Sequence, residues 1–307
     1  MEKSSFSRGV FFAISAYFLW GILPLYWKFL SAIYPHHILG FRIIFSMLLV
    51  SAVLLAHKNT SWLAFYRDRR KGILLTLAAM AISVNWGLYI WAVNNGRTIE
   101  TSLGYYINPL ISIVMGLCFF REKLKLLQII AFGIAFAGVT VLTVLTGKLP
   151  WISLILALTF ALYGLLKKTI SLSALESLGV ETLIASPLGL LLLFCSFETN
   201  GLAALQSPSY LLQLPLHVML LLLFCGLVTS LPLFLFAKGA KMLPLSTLGF
   251  IQFISPTLTF LTGLFIFGES FPTRNFIAFG FIWTAAILYI ISLYTSQGKR
   301  LKEEVKN

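Results

Sequence analysis

The sequence predicts an all-α membrane protein of ten transmembrane helices, laid out as two inverted five-helix repeats. Three observations predict it: a composition too apolar for a water-facing surface, basic residues gathered on alternate connections, and an internal repeat. Of 307 residues, 59% are hydrophobic and only 11% charged, whereas a soluble domain carries about 25% charged residues. The net charge of +13 does not describe a nucleic-acid surface, because the basic residues fall in short runs between apolar blocks instead of along one stripe.

A helical span needs about 20 apolar residues, and the polar interruptions leave ten such stretches: 8–30, 35–57, 72–94, 99–120, 126–146, 150–167, 175–196, 215–237, 245–268 and 273–294. The first follows a basic start, but no small-residue cleavage site precedes WGILPLYWK, so it is expected to stay as an anchor. The second contains HHILGFRIIFS (36–46), where Arg42 is the single charge in an oily run. A charge near the bilayer centre is unfavourable by about 2.5–3.5 kcal/mol on insertion scales, so something must hold it. The third carries Asn85 and Trp86 near mid-depth, with Tyr89 one turn on and on the same face as Asn85. The fourth holds Tyr105, Tyr106, Asn108 and Pro109. The sixth stops at Lys167, and the seventh contains Glu181, the one acid well inside a span. The ninth holds Gln252 and Pro256, and after the tenth comes a basic tail, 297–307. The longest connections, 58–71 and 197–214, leave no room for a separate soluble domain. Cys118, Cys195 and Cys225 sit inside apolar blocks without CxxC spacing and read as packing residues.

Lys and Arg collect on the cytoplasmic side of a membrane protein. With the N-terminus inside, eighteen basic residues from Lys3 to Lys306 fall inside, Lys167 and Lys168 among them; Lys28, Arg97, Lys148 and Arg274 fall outside, and Arg42 is left within a span. That alternation would collapse if one span were missed or invented, so it predicts ten crossings with both termini cytoplasmic.

INPLISIVMGLCFFREKLKLLQIIAFG (107–133) aligns without a gap on ISPTLTFLTGLFIFGESFPTRNFIAFG (254–280), with ten identities in 27 positions. Pro109 meets Pro256, Gly116 meets Gly263 and Glu122 meets Glu269. Upstream, 88–104 pairs with 233–249, and LGFRIIFS (39–46) lies against LGVETLIA (178–185), so that Arg42 meets Glu181. The repeats are 1–147 and 148–296. Five helices is an odd number, so the second copy enters from the opposite side, the plan of many secondary transporters with a site near the midplane.

Mid-span tryptophans are out of place, since that residue favours the headgroup belt. Trp20, Asn85, Trp86 and Tyr89 therefore read either as a cavity that stacks on a flat solute or as helix packing, with Asn85 bonding across helices. Pro109 and Pro256 free the carbonyls of Tyr105 and Gln252 and act either as packing kinks or as hinges. Glu181 is open to three roles: proton-coupling group, ion-pair partner or polar anchor. Arg42 and Glu181 should differ in depth by roughly 10 Å in a core about 30 Å thick, flanking one cavity from opposite sides; the alternative for Arg42 is snorkelling to the outer headgroups. Glu122 and Glu269 lie at span ends, where solvated helix-terminal roles fit best. No HExxH, Cys/His cluster or Gly-rich phosphate loop occurs, so neither an enzyme nor a metal or cofactor site is expected.

The two proline-to-glutamate segments and the five-plus-five plan resemble the EamA branch of the drug/metabolite transporter superfamily. NWGLYIWAVNN (85–95), SLGYYINP (102–109), ETLIASP (181–187) and STLGFIQFISPTLTFL (246–261) are similar to the RarD group. The resemblance implies the drug/metabolite transporter fold and a bacterial inner-membrane permease, an exporter of small metabolites or amphipathic drugs with a chloramphenicol link in the group's name. Its solute would meet Trp20, Arg42, Asn85, Trp86, Tyr89, Tyr105, Asn108, Glu181 and Gln252 in a midplane cavity worked by alternating access. The alternative of the same fold is a lipid or lipid-linked sugar flippase. The expected partners are a small-molecule substrate and the bilayer, with proton coupling open, no nucleic acid, and a monomer or weak dimer.

Overall fold

A backbone in hydrocarbon has no water to bond, so each apolar block satisfies its N–H and C=O groups internally and winds into helix. The computed structural model describes residues 3–30, 33–94, 98–146, 151–194, 213–267, 273 and 276–304; Arg97, Lys148, Cys195, Glu269, Arg274 and Lys306 lie outside the described residues. The helices are α1 (Lys3–Phe29), α2 (Pro35–Ala56), α3 (Arg69–Asn94), α4 (Thr98–Phe120), α5 (Leu126–Thr146), α6 (Trp151–Thr169), α7 (Ala174–Phe194), α8 (Leu216–Met242), α9 (Leu245–Gln252), α10 (Ile254–Phe265) and α11 (Phe276–Glu304). Among the described residues, eight stretches are long and apolar enough to cross a bilayer, and Gly104–Phe120 and Phe276–Ser292 are shorter apolar helices.

Two expectations change. The ninth span, anticipated as continuous over 245–268, still forms one apolar span over Leu245–Thr262 but is kinked at Phe253 between α9 and α10, and α10 ends at Phe265. Pro256 has no N–H to return to the Gln252 carbonyl, and the Phe253 N–H bonds back only three residues, to Phe250 at 3.3 Å. Pro109, its counterpart, sits inside an uninterrupted α4. The connection 58–71 is also more than a loop: Ser61–Arg67 forms a 3-10 helix whose Trp62 is buried against the central core.

The most extensive packing pairs are α4 on α6, α5 on α11, α2 on α7, α1 on α8, α2 on α8, α3 on α6, α4 on α9 and α1 on α10. Lipid offers no hydrophobic drive between helices, so close crossings use small residues. At Gly226 in α8 an added Cβ would lie 2.5 Å from the carbonyl of Phe45 in α2. In the α2–α7 pair, Gly40 meets Gly189 and Leu193 while Gly179 meets Val50 and Leu54. One core runs from Ala13 and Tyr17 through Phe160 and Tyr163 to Phe236 and Leu248. A second joins α4, α5, α9, α10 and α11 around Ile113, Ala135, Phe250 and Tyr289. Phe11, Leu126, Val144 and Phe194 are exposed, whereas Asn85, Asn108, Ser153, Lys167, Ser177 and Glu181 are buried. Apolar outside and polar inside is the pattern of a bundle whose solvent is lipid.

Candidate substrate site and a buried ion pair

Arg42 projects from α2 into a cage built by other helices. Its guanidinium carbon lies 4.9 Å from the ring centre of Trp27 in α1 and 4.6 Å from that of Trp86 in α3, within the range of cation–π attraction. Its Nε donates to Thr229 Oγ1 of α8 at 3.1 Å. Tyr89 and Tyr105, whose rings are 5.8 Å apart, lie within electrostatic reach of the same charge. Residues from α1, α2, α3, α4 and α8 thus surround one half-buried cation.

Glu181 has a different set of partners, and here the sequence reading is corrected. Lys167, assigned to a cytoplasmic connection, is fully buried in α6. Its Nζ lies 2.8 Å from Glu181 Oε1 and donates to Ser177 Oγ at 2.7 Å. The Ser177 hydroxyl donates to Oε1 at 2.7 Å, and the Tyr163 hydroxyl to Oε2 at 3.0 Å. Arg42 and Glu181 are therefore not the only charges set deep within spans. Tyr163 and Lys167 are four residues apart and share a face of α6, and the apolar pattern continues past Lys167 to Ile170; that was the available signal for the buried lysine. The α2–α7 register sets Glu181 level with the turn at Val50, about eight residues or roughly 12 Å from Arg42 at 1.5 Å per residue. Between the two clusters lies a void of about 20 Å³, with Ile43, Ser46, Trp86, Tyr163, Glu181 and Leu233 in its wall. That is room for about one water molecule and is too small for an organic solute.

The other anticipated residues are placed apart. Trp20 packs in an aromatic cluster with Tyr17, Phe160 and Phe236, ring centres 5.4–5.6 Å away. The Asn85 amide donates to the Leu156 carbonyl at 2.8 Å and to Thr159 Oγ1 at 3.0 Å. Asn108 donates to the next carbonyl, Ala157, at 2.6 Å, so both asparagines stitch α3 and α4 to α6. Gln252 accepts a long hydrogen bond from the Tyr17 hydroxyl, 3.5 Å, at the end of α9. Residues the sequence reading missed are Trp27, Tyr163, Lys167, Ser177 and Thr229; Trp27 stands at a span end like any belt tryptophan, and a threonine in an apolar helix gives no signal.

Glu122 forms a third polar node. Arg121 adopts φ 51° and turns the chain back, so that the Glu122 N–H bonds to the Gly116 carbonyl. The carboxylate then accepts from the N–H groups of Leu245 and Ser246, at 2.6 and 2.9 Å, and from the Ser246 hydroxyl at 2.7 Å. It caps α9, where the partial positive charge of a helix N-terminus favours an anion. Lys168 approaches it at 3.4 Å and stands over the Phe120 ring at 4.9 Å. Lys28 stands over the Phe267 ring at 4.1 Å, and Phe120 and Phe267 are partners in the repeat. The expected helix-terminal role of Glu122 is thus played between helices, largely out of solvent.

Fold and site together define a multi-pass membrane protein with a polar, charged interior. Residues 7–144 match the model of the EamA-like transporter family. The chain is 40% identical to the uncharacterized transporter YojE of Bacillus subtilis, over 95% of this chain and 96% of that one. It is 37% identical to the protein RarD of Escherichia coli, over 97% and 99%, and 28% identical to the chloramphenicol-sensitive protein RarD of Pseudomonas aeruginosa, over 92% and 93%. A crystal structure at 16% identity shares the fold, with a TM-score of 0.68 over 94% of this chain and 98% of that one. The chain belongs to the EamA-like transporter family, in its RarD group, and is a membrane transporter, not an enzyme.

Proposed function

We propose that the chain exports a small organic metabolite or amphipathic drug across the bacterial inner membrane by alternating access, with both termini cytoplasmic. The observation that carries this reading is the helix pairing. Exchange α1 with α6, α2 with α7, α3 with α8, α4 with α9–α10 and α5 with α11, and the main pairs map onto one another: α1–α8 becomes α6–α3, and α4–α6 becomes α10–α1. The α2–α7, α4–α9 and α5–α11 pairs map onto themselves. Such a pattern supports two inverted repeats, 1–147 and 148–296, meeting along a pseudo-twofold axis.

Arg42, Trp86, Tyr89 and Tyr105 hold the solute, and Glu181, already matched by Lys167, serves as an ion-pair partner. Equivalent elements in different shapes are what a carrier with two access states needs; a continuous α4 beside a broken α9–α10 supports Pro256 as a hinge and Pro109 as its counterpart in the other state. The Glu122–Lys168 node and the Lys28–Phe267 contact close the two ends. Among the relatives, YojE carries the name transporter, which lends the flippase alternative no support.

The test is a thermal-shift screen of the purified protein against amino acids, nucleoside-like metabolites and chloramphenicol. Each stabilising compound is then followed in proteoliposome counterflow. Trp86→Ala is expected to lower counterflow at least about tenfold, the equivalent of losing about 1.4 kcal/mol of contact. Counterflow unchanged in both Trp86→Ala and Arg42→Gln would place the solute elsewhere and sink this site.

A further inference from the structure

We propose that the solute is an organic anion, a carboxylate whose charge is met by Arg42; the inference rests on the transporter reading above. It starts from charge balance. Asp68 accepts from the N–H groups of Arg70 and Lys71, at 3.0 and 3.1 Å, and so caps α3. Glu176 closes a capping box with Ser173 at the start of α7 and accepts from Asn59 at 2.9 Å. Glu122 caps α9, and Glu181 is matched by Lys167. Among the described residues, none of these four acids is paired with Arg42, whose side chain there makes one hydrogen bond, from Nε to Thr229.

A guanidinium carries several N–H donors in a planar fork, and among the described residues the Nη end has no acceptor. Two indole faces offset part of the charge but offer no acceptor to the Nη protons. A carboxylate would accept two parallel N–H···O bonds there, the strongest pairing open to arginine, and would neutralise the cage. The Tyr89 and Tyr105 rings, 5.8 Å apart, border the same charge and would flank the body of the solute. A neutral solute leaves the cation unmatched in a low-dielectric interior, and a cationic one adds repulsion.

The test uses full-length protein in detergent, with benzoate, phenylpyruvate, indole-3-carboxylate and hexanoate, each beside its primary amide. Affinity is followed by tryptophan fluorescence and thermal shift. Acids are expected to bind at least about tenfold more tightly than their amides. Arg42→Gln should remove that preference and Arg42→Lys should keep part of it. Amides that match their acids, or acids that bind Arg42→Gln undiminished, or no acid binding at millimolar concentration, would each overturn the anion class. If Arg42→Gln does not fold, the acid–amide comparison on the unaltered chain decides alone. Trp86→Ala separates the two readings: amides that bind and lose affinity in that variant leave the site standing without the anion class, whereas probes bound equally by both proteins take the site down as well.

Discussion

Lys167 and Glu181 show how a buried pair behaves as one unit. Removing one partner of such a pair typically costs about 3–5 kcal/mol, because the other is left as an uncompensated buried charge, while replacing both with apolar residues is often close to neutral. Lys167→Met and Glu181→Leu are each expected to lower the thermal stability of the purified protein sharply, and the double variant to recover most of the loss. A double variant no more stable than either single one would show that the two residues are not energetically coupled. Arg42 was legible from sequence, because a lone charge in an apolar run is conspicuous. Lys167 was harder to read, because a lysine beside a second lysine at a span end looks like any cytoplasmic anchor, and the helical spacing from Tyr163 to Ile170 does not by itself name its partner, Glu181 on α7.

The cap on α9 is the clearest case at the scale of elements. An added Cβ at Gly116 would lie 2.6 Å from Glu122 Oε2, so Gly116→Ala must push the carboxylate off the N–H groups of Leu245 and Ser246. Overpacking of this kind costs about 1–3 kcal/mol, and Glu122→Gln should produce a smaller loss by removing the charge alone. Both variants are expected to melt earlier in detergent; a Gly116→Ala protein as stable as the parent would mean that the turn at Arg121 adjusts freely and the cap matters little. Matching prolines were equally visible in α4 and α10, yet only one helix is interrupted. The difference lies in neighbours that no local signal reports. Asn108 is tied to the Ala157 carbonyl and Gly249 comes close against the carbonyl of Pro109, contacts that support an uninterrupted α4, while Gln252 at the break receives a long 3.5 Å contact from Tyr17.

For the whole molecule, the apolar blocks and the alternation of basic runs were readable because insertion into a bilayer acts on composition alone. Which helix packs on which was only implied, through the repeat, and the cage of Trp27, Trp86 and Thr229 around Arg42 comes from three separate helices whose convergence no linear spacing encodes. Topology can be checked with reporter fusions. A fluorescent protein joined after residue 296 is expected to shine in the cytoplasm, and alkaline phosphatase placed within 197–214 to be active outside; both reporters on one side would refute the ten-crossing arrangement, and the reverse pattern its orientation. The two buried charged sites also differ in when they can be completed during synthesis. Lys167 and Glu181 are 14 residues apart, so their helices can leave the translocon as a hairpin already carrying its own counter-charge. Arg42 reaches Thr229 across 187 residues, and until α8 is made the nascent chain holds that guanidinium without its hydroxyl partner. The nascent chain is therefore expected to carry an incomplete Arg42 cage from the second helix to the eighth, a window set by the order of translation and not by the stability of the finished fold.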